Sequence, residues 1–217
     1  SGGGGIALVD TYSAATHSDV AAINGTSASD RLENVDNLIS GYGELGSGAL
    51  TLVNDAAGVV DATVGTLILD AGETTAVNAG LLEATAAGTL DVRSAVTSKG
   101  TVILRRAIGG TGTVQAADGG TLTLLGGALA GSVGVSSTAH GAITVSNSGS
   151  LDGTTRAVTL AGTLDIGVGT TLAISGSIAN SGTISLDGSY TSAAAVVKVI
   201  GTATLTGHGT VRLLDTY

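Results

Sequence analysis

The chain has 217 residues, a net charge of −9, 36 Gly, and neither Pro nor Cys. Collagen and most disordered low-complexity proteins are excluded, because the glycines follow no three-residue period and 43% of the residues are apolar. Nucleic acid is excluded as an expected partner, since no basic surface offsets the phosphate charge. Without Cys, the chain can form neither a disulfide framework nor a thiolate metal site.

The apolar residues are of a restricted kind. Phe, Trp and Met are absent, and four Tyr are the whole aromatic content. Globular cores depend on large aromatic side chains, whereas a solenoid stacks small aliphatic residues on copies of themselves. No apolar run approaches the ~20 residues that span a bilayer, so we expect no membrane insertion. The chain starts at Ser1 rather than Met, which indicates a piece of a longer polypeptide.

The N-terminal part, residues 1–47, is less regular than the rest. It carries more charge, and the spacing of Leu32, Val35, Leu38 and Ile39 is one that a helix could use. A short capping helix is therefore one interpretation. The other, which we prefer, is a set of irregular coils with a longer excursion at residues 13–30.

From residue 48 to 217 a unit of Gly, a small residue and an apolar–any–apolar triplet recurs. Its leading glycines are Gly48, Gly65, Gly88, Gly100, Gly120, Gly141, Gly162, Gly182 and Gly201. From Gly100 onward the unit returns at a nearly constant interval, which is the mark of a repeat architecture. Period-2 alternation predicts short strands with aliphatic residues inside and Thr, Ser or Asp outside. We therefore predict a single all-β domain over 1–217, a β-solenoid of stacked parallel strands with about 20 residues per coil.

Other copies of the unit and the turn residues complete this scheme. The copies at Gly112 and Gly209 fall between the main ones, and we assign them to other faces of the same coils. Corners are predicted where Asn, a small residue and Gly follow one another, at Asn78, Asn147 and Asn180. Asn tolerates the left-handed region, and stacked Asn side chains can form amide ladders.

The two ends of the chain resemble each other. Residues 2–12 align with residues 207–217, with six of the eleven positions identical. The chain thus starts and stops at the same phase of a larger repeat, unless two coils are similar by coincidence. Solenoid ends expose unpaired strand edges, and no cap is visible after Leu213. We therefore expect either more chain or self-association end to end.

Two segments carry a family resemblance. Residues 32–46, LENVDNLISGYGELG, and residues 50–62, LTLVNDAAGVVDA, resemble segments of very large bacterial surface and secreted proteins, such as autotransporter passengers and filamentous-haemagglutinin-like adhesins. The resemblance implies a right-handed parallel β-helix, export to the cell surface and a role in adhesion, aggregation or biofilm matrix. Its motif is a packing motif, so no functional residue is transferred by it.

Parallel β-helices also host polysaccharide-acting enzymes, which need clustered carboxylates and an aromatic or basic cleft. The scattered carboxylates are Asp91, Asp152, Asp165 and Asp187. Asp165 and Asp187 could lie close together on adjacent coils, but a solvated outer face explains them more simply. Tyr42 and Tyr190 are isolated, and the only dibasic pair, Arg105–Arg106, fits an exposed edge or corner.

Other sites are disfavoured by spacing. Gly109–Val114 has the glycines of a calcium-binding nonapeptide but a Val at the ligand position. His17, His140 and His208 lack paired metal-ligand spacing, and Gly2–Gly5 lacks the end of a phosphate loop. An ice-binding array is weakly suggested by outward threonines at 51, 123, 144, 159 and 204, but Ile68, Asp91, Ile103, Asp165 and Ser185 interrupt that column.

These observations favour one function. We expect a structural or adhesive segment of an extracellular bacterial surface fibre, not an enzyme, with no cofactor, metal or catalytic residue. The expected partners are other copies end to end and cell-surface or matrix polysaccharide. A polysaccharide-acting enzyme and an ice- or ligand-binding solenoid are the alternatives.

Overall fold

A computed structural model describes residues 3–9, 21–104, 107–117, 119–189 and 193–216. Within those ranges the chain is all β, without an α-helix. The strands are β1 Gly5–Leu8, β2 Ala22–Asn24, β3 Arg31–Asn34, β4 Leu38–Gly46, β5 Thr51–Asn54, β6 Val59–Leu69, β7 Thr75–Asn78, β8 Leu81–Val92, β9 Ala95–Ser98, β10 Thr101–Leu104, β11 Ala107–Gly110, β12 Thr113–Ala116, β13 Thr121–Leu124, β14 Ala128–Ala130, β15 Gly134–Ser137, β16 Ala142–Val145, β17 Ser148–Leu160, β18 Thr163–Ile166, β19 Thr171–Asn180, β20 Thr183–Ser189, β21 Val196–Thr206 and β22 Thr210–Thr216.

These strands form three parallel faces. Face I stacks β1, the start of β4, β6 and β8, and then β10, β13, β16, β18, β20 and β22. Face II stacks β2, the ends of β4, β6 and β8, β11, β14, and the starts of β17, β19 and β21. Face III stacks β3, β5, β7, β9, β12, β15, and the ends of β17, β19 and β21. The chain is a β-solenoid, as the repeat predicted.

The core consists of aliphatic columns that run along the solenoid. On face I the column contains Ile39, Val60, Leu82, Val102, Leu122, Ile143, Leu164 and Ile184, each buried. Each member lies directly under its counterpart on the next rung, because the strands are parallel and in register. Burial of a Leu or Val removes its apolar surface from water, worth roughly 1.5–3 kcal/mol per side chain. The columns thus replace the aromatic core of a globular domain.

The coil length is about 22 residues, and it varies along the chain. Leu82, Val102 and Leu122 follow one another at the interval that the sequence predicted. The first coil is longer, with Gly5 opposite Leu38, and so is the last, with Ile184 opposite Val211. Loops at the corners absorb these differences without breaking the register of the faces.

Two motif assignments from the sequence, those of the units led by Gly201 and Gly209, are wrong. The units led by Gly100, Gly120, Gly141, Gly162 and Gly182 all begin face I strands, but the unit led by Gly201 lies on face III within β21. The next face I strand is β22, which follows Gly209. Strand pairing, and not the spacing of the motif, decides the assignment. The copy at Gly112 does begin a strand of another face, β12, as predicted.

The N-terminal region forms coils of the same solenoid, which confirms the preferred interpretation for residues 31–47. Within the expected excursion, however, Ala22–Asn24 form β2 on face II. Leu32 lies in β3, and Leu38 and Ile39 lie in β4, with β3 pairing with β5. The alternation of β4 places Ile39 in the core. The helical spacing of these residues is overridden because parallel neighbours cover their strands. Part of the expected excursion, residues 13–20, lies outside the described residues.

Glycines lead the face I strands because neighbouring corners approach closely. A Cβ on Gly100 would collide with the carbonyl oxygen of Gly80, one rung below. Its φ is not in the left-handed region, so the requirement comes from space rather than from backbone conformation. Elsewhere the expected conformation does occur: Gly162 has φ of 89°.

A buried amide ladder joins the corners between faces III and I. Asn34 donates to Asn54 at 2.8 Å, Asn54 donates to Asn78 at 2.7 Å, and Asn78 donates to the Ser98 hydroxyl at 3.0 Å. The predicted ladder therefore exists, but Asn34 and Asn54 were not predicted in it. Of the three predicted corner asparagines, only Asn147 has a left-handed φ, 67°.

Candidate functional site

The predicted proximity of Asp165 and Asp187 is confirmed. Asp165 lies on the outer side of face I, between Thr144 and Ser185 in register. Partial burial, and then repulsion from the Asp187 carboxylate, raise the pKa of Asp165. The negative charge on Asp165 therefore destabilises the fold, and protonation of its carboxyl removes that penalty.

The other two predicted aspartates lie on face II and engage their own neighbours. Asp91 pairs with the Arg93 guanidinium at 3.2 Å, while its second carboxylate oxygen is buried without a hydrogen-bond partner. Asp152 accepts hydrogen bonds from the Thr154 hydroxyl and backbone N–H and from Ser175, and the Thr154 bonds do most to lower its pKa. The four aspartates are therefore distributed over two faces and several rungs, rather than gathered in one groove.

A further acidic pair escaped the sequence analysis. Asp61 and Glu83 are neighbours in register on the outer side of face I. The Thr85 hydroxyl donates to both Asp61 oxygens, at 2.9 and 2.8 Å. Both residues occupy the third position of a face I strand, so the sequence pattern contained the information needed to pair them. The unequal coil lengths prevented us from aligning the two strands.

The outer threonines do not form the single column that the sequence suggested. Thr123 and Thr144 lie on face I with their hydroxyls 3.2 Å apart, whereas Thr51, Thr159 and Thr204 lie on face III. A different column runs along the first positions of the face I strands from β10 onward. It consists of Thr101, Thr121, Ala142, Thr163, Thr183 and Thr210. Thr suits an outward strand position because its branched side chain packs on the pleated surface.

A shallow apolar groove runs along the corner between faces III and I. It is lined by Ala56, Ala57, Gly58, Val59, Ala79, Gly80, Leu81, Thr101 and Ile103. Gly58 and Gly80 allow the stacked corners beneath the groove to approach closely, since a Cβ at either position would collide with the corner backbone and the Asn54 amide. Among these described lining residues none is aromatic or charged, and so the groove lacks the usual elements of a carbohydrate platform.

Aliphatic side chains are exposed on the last described strands, β21 and β22. Val199, Leu205, Val211 and Leu213 continue the interior columns of the three faces, yet they are 55%, 47%, 50% and 83% exposed. One rung inside, Leu186, which pairs with Leu213, is only 7% exposed. These four residues, here called the apolar end, have the geometry of a core without its covering rung. At the other end of face I, Ile6 is 41% exposed.

Of the remaining residues that the sequence analysis considered, some lie within the described ranges and others do not. Gly5 begins β1, so the glycine run leads into a strand, and His140 and His208 lie at separate corners. His17, Tyr190 and Arg105–Arg106 lie outside the described residues. In the described ranges no three His, Asp or Glu are grouped so as to hold a metal ion. Nor do these ranges include a helix with the length and apolar character needed to cross a membrane.

Comparison with known proteins identified no similar protein. No family model matches the chain, and neither the curated proteins nor the solved structures include a significant match.

Proposed function

We propose that the chain is a structural and adhesive module of an extracellular bacterial surface fibre, and that its copies join end to end. The observation that carries the proposal is the apolar end, where interior columns continue into solvent. Exposed apolar patches of this kind mark interaction surfaces, and unpaired strand edges accept further strands. The surface location rests on the sequence resemblance of residues 32–46 and 50–62 to large bacterial surface proteins.

The outer surfaces of faces I, II and III are consistent with a structural role. Their carboxylates are spread along the rod, and the net charge of −9 discourages sideways aggregation, whereas the four residues of the apolar end carry no charge. The adhesive partner in this proposal is a cell-surface or matrix polysaccharide, which the hydroxyls of face I could hydrogen-bond. Neither role requires catalysis or a cofactor.

Leu213→Lys tests the end-to-end association. The substitution puts a charge into the interior column at a position that is 83% exposed in the free chain, so it should leave the fold intact. Thr204→Lys is the matched control, because it adds the same charge at an exposed outward position of β21. We expect the unchanged chain and the control to form elongated particles that lengthen with concentration in sedimentation velocity and electron microscopy.

The Leu213→Lys chain should remain a short rod in the same measurements. A native chain that stays monomeric at high concentration, or a Leu213→Lys chain that assembles like the control, contradicts the proposal. Labelling intact producing cells with an antibody against the solenoid tests the surface location separately.

A further inference from the structure

The last strand occupies the same place in its coil as the first. β22 and β1 both lie on face I, with Val211 and Ile6 in the same interior column. Six of eleven residues are identical between 2–12 and 207–217, including Leu8 and Leu213. Leu8 is buried, whereas Leu213 is 83% exposed. β22 is therefore a copy of β1 that lacks the neighbour covering β1.

That neighbour is β4. In the described strands β1 pairs with β4 and with no other, with Ile6 opposite Ile39 and Leu8 opposite Gly41. Within the same described strands, β22 pairs with β20 along one edge only. β22 therefore resembles β1 in sequence and runs in the same direction. Its unpaired edge corresponds to the edge of β1 that pairs with β4.

The order of the faces decides how two copies can join. The solenoid ends with β21 on faces II and III, followed by β22 on face I. The next strand of a continuous spiral must therefore lie on face II, as β2 does, followed by β3 on face III and β4 on face I. In a joined second copy β1 would require the position that β22 already occupies. One of the two strands must leave.

We propose that copies of this chain join by strand exchange, with β22 of one copy replacing β1 on the edge of β4 of the next. This inference rests on the proposed end-to-end function and specifies its contact. The alignment sets the register: Val211 lies opposite Ile39, Arg212 opposite Ser40, and Leu213 opposite Gly41 of the second copy. β2 and β3 of that copy then cover β21.

The side chains fit this register. A Cβ on Gly41 would collide with the carbonyl oxygen of Leu8, and the carbonyl of Leu213 takes the same place after exchange, so the glycine is needed in both states. Arg212 replaces Ala7 beside Ser40, and Asp61 lies one rung beyond Ser40 on the outer side of face I. The exchange therefore supplies a cation to a carboxylate and buries Leu213.

Exchange also favours the incoming strand. β1 has four residues and leaves Ile6 41% exposed, while β22 has seven residues and is already held by pairing with β20. An incoming strand that is already fixed in its own rung has little conformational entropy left to lose on pairing.

A disulfide lock tests the exchange in the full chain, which has no Cys of its own. Ala7 and Ser40 are register partners on adjacent strands, whose Cα atoms lie ~4.8 Å apart, within the usual range for a disulfide. The Ala7→Cys/Ser40→Cys chain, when oxidised, holds β1 on β4 and leaves the apolar end unchanged. We expect the oxidised chain to remain short and the reduced chain to assemble like the native one.

A second measurement reads the register directly. Chains carrying only Arg212→Cys and chains carrying only Ser40→Cys should form a disulfide-linked pair when mixed and oxidised, whereas a Thr204→Cys chain should not link to Ser40→Cys. Assembly of the oxidised locked chain to native length overturns the exchange but leaves end-to-end association standing. Failure of the native chain to assemble overturns both.

Discussion

The side-chain nitrogen of Asn54 donates a 2.7 Å hydrogen bond to the Oδ1 of Asn78 on the next rung. The same nitrogen lies within hydrogen-bond distance of the carbonyl oxygens of Gly58, at 3.1 Å, and Leu81, at 3.2 Å. The amide thus satisfies backbone carbonyls on the inner side of the corner, where Asn54 itself is fully buried. Polar groups in an apolar interior are tolerated only when they are paired in this way.

Asn54→Ala should destabilise the solenoid by about 1–3 kcal/mol, because it removes one hydrogen-bond partner from each of the Asn34 and Asn78 amides and from the corner carbonyls of Gly58 and Leu81. Denaturant unfolding followed by circular dichroism measures the loss. Asn24→Ala is the control, since Asn24 is exposed and accepts one hydrogen bond, from Ser47. Equal effects of the two substitutions would mean that the ladder contributes nothing specific.

Gly100→Ala should destabilise the chain by about 1–3 kcal/mol, the usual effect of overpacking, because the new methyl group meets the backbone of Ala79 and Gly80. Gly167→Ala is the matched control. No atom lies within 4 Å of a Cβ built at Gly167, and its φ is ordinary, so the substitution should be neutral or stabilise by up to about 1 kcal/mol. Thermal unfolding of both chains decides whether close approach, rather than glycine itself, is what the corner requires.

Leu122→Ala should cost about 2–5 kcal/mol, because Leu122 is fully buried between Val102 and Ile143 and its removal leaves a cavity. In the monomeric chain Leu213→Ala should change the stability by less than about 0.5 kcal/mol, since that side chain is largely in water. Urea midpoints at low protein concentration provide the comparison. A large effect of Leu213→Ala there would show that Leu213 is already covered.

Asp165 and Asp152 should affect stability with opposite signs. The folded-state pKa of Asp165 lies above the ordinary value of 3.8, so its carboxylate destabilises the fold at neutral pH, and protonation removes the penalty as the pH falls through that raised pKa. Asp165→Asn should therefore stabilise the chain at pH 7, by less than about 0.5 kcal/mol because solvent screens the charges. Below pH 3.8 the gain should vanish, since the carboxyl is then protonated in both the folded and the unfolded chain.

The folded-state pKa of Asp152 lies below 3.8, so its ionised form stabilises the fold above that pH, and the contribution is lost as the pH falls through the lowered pKa. Asp152→Asn should accordingly destabilise the chain at pH 7 and have less effect in acid. Thermal melts of both variants from pH 7 to pH 3 measure the difference. Parallel pH profiles would contradict the assigned environments.

Several features were predictable from local pattern. The alternation in Thr121–Leu124 specifies which side chains face the core, because a strand places successive residues on opposite sides. The recurrence of Gly followed by a pair of aliphatic residues, at a nearly constant interval, predicted that successive coils stack on one another. By contrast, the partnership of Asp61 with Glu83 depends on the length of the coil that joins them, and no local pattern states that length.

The class of fold, the alternation of inner and outer residues and the likeness of the two ends were all predictable from the amino-acid sequence, because each follows from composition, period-2 alternation and repetition. The face on which each unit lies, the asparagines that share the ladder and the aliphatic residues that remain uncovered became known from the folded chain. The physical reason is that the register between rungs is set by contacts between residues a whole coil apart, across corners of unequal length. Gly201 and Gly209 show the difference: their motifs are alike, but pairing with β19 and β20 assigns them to different faces.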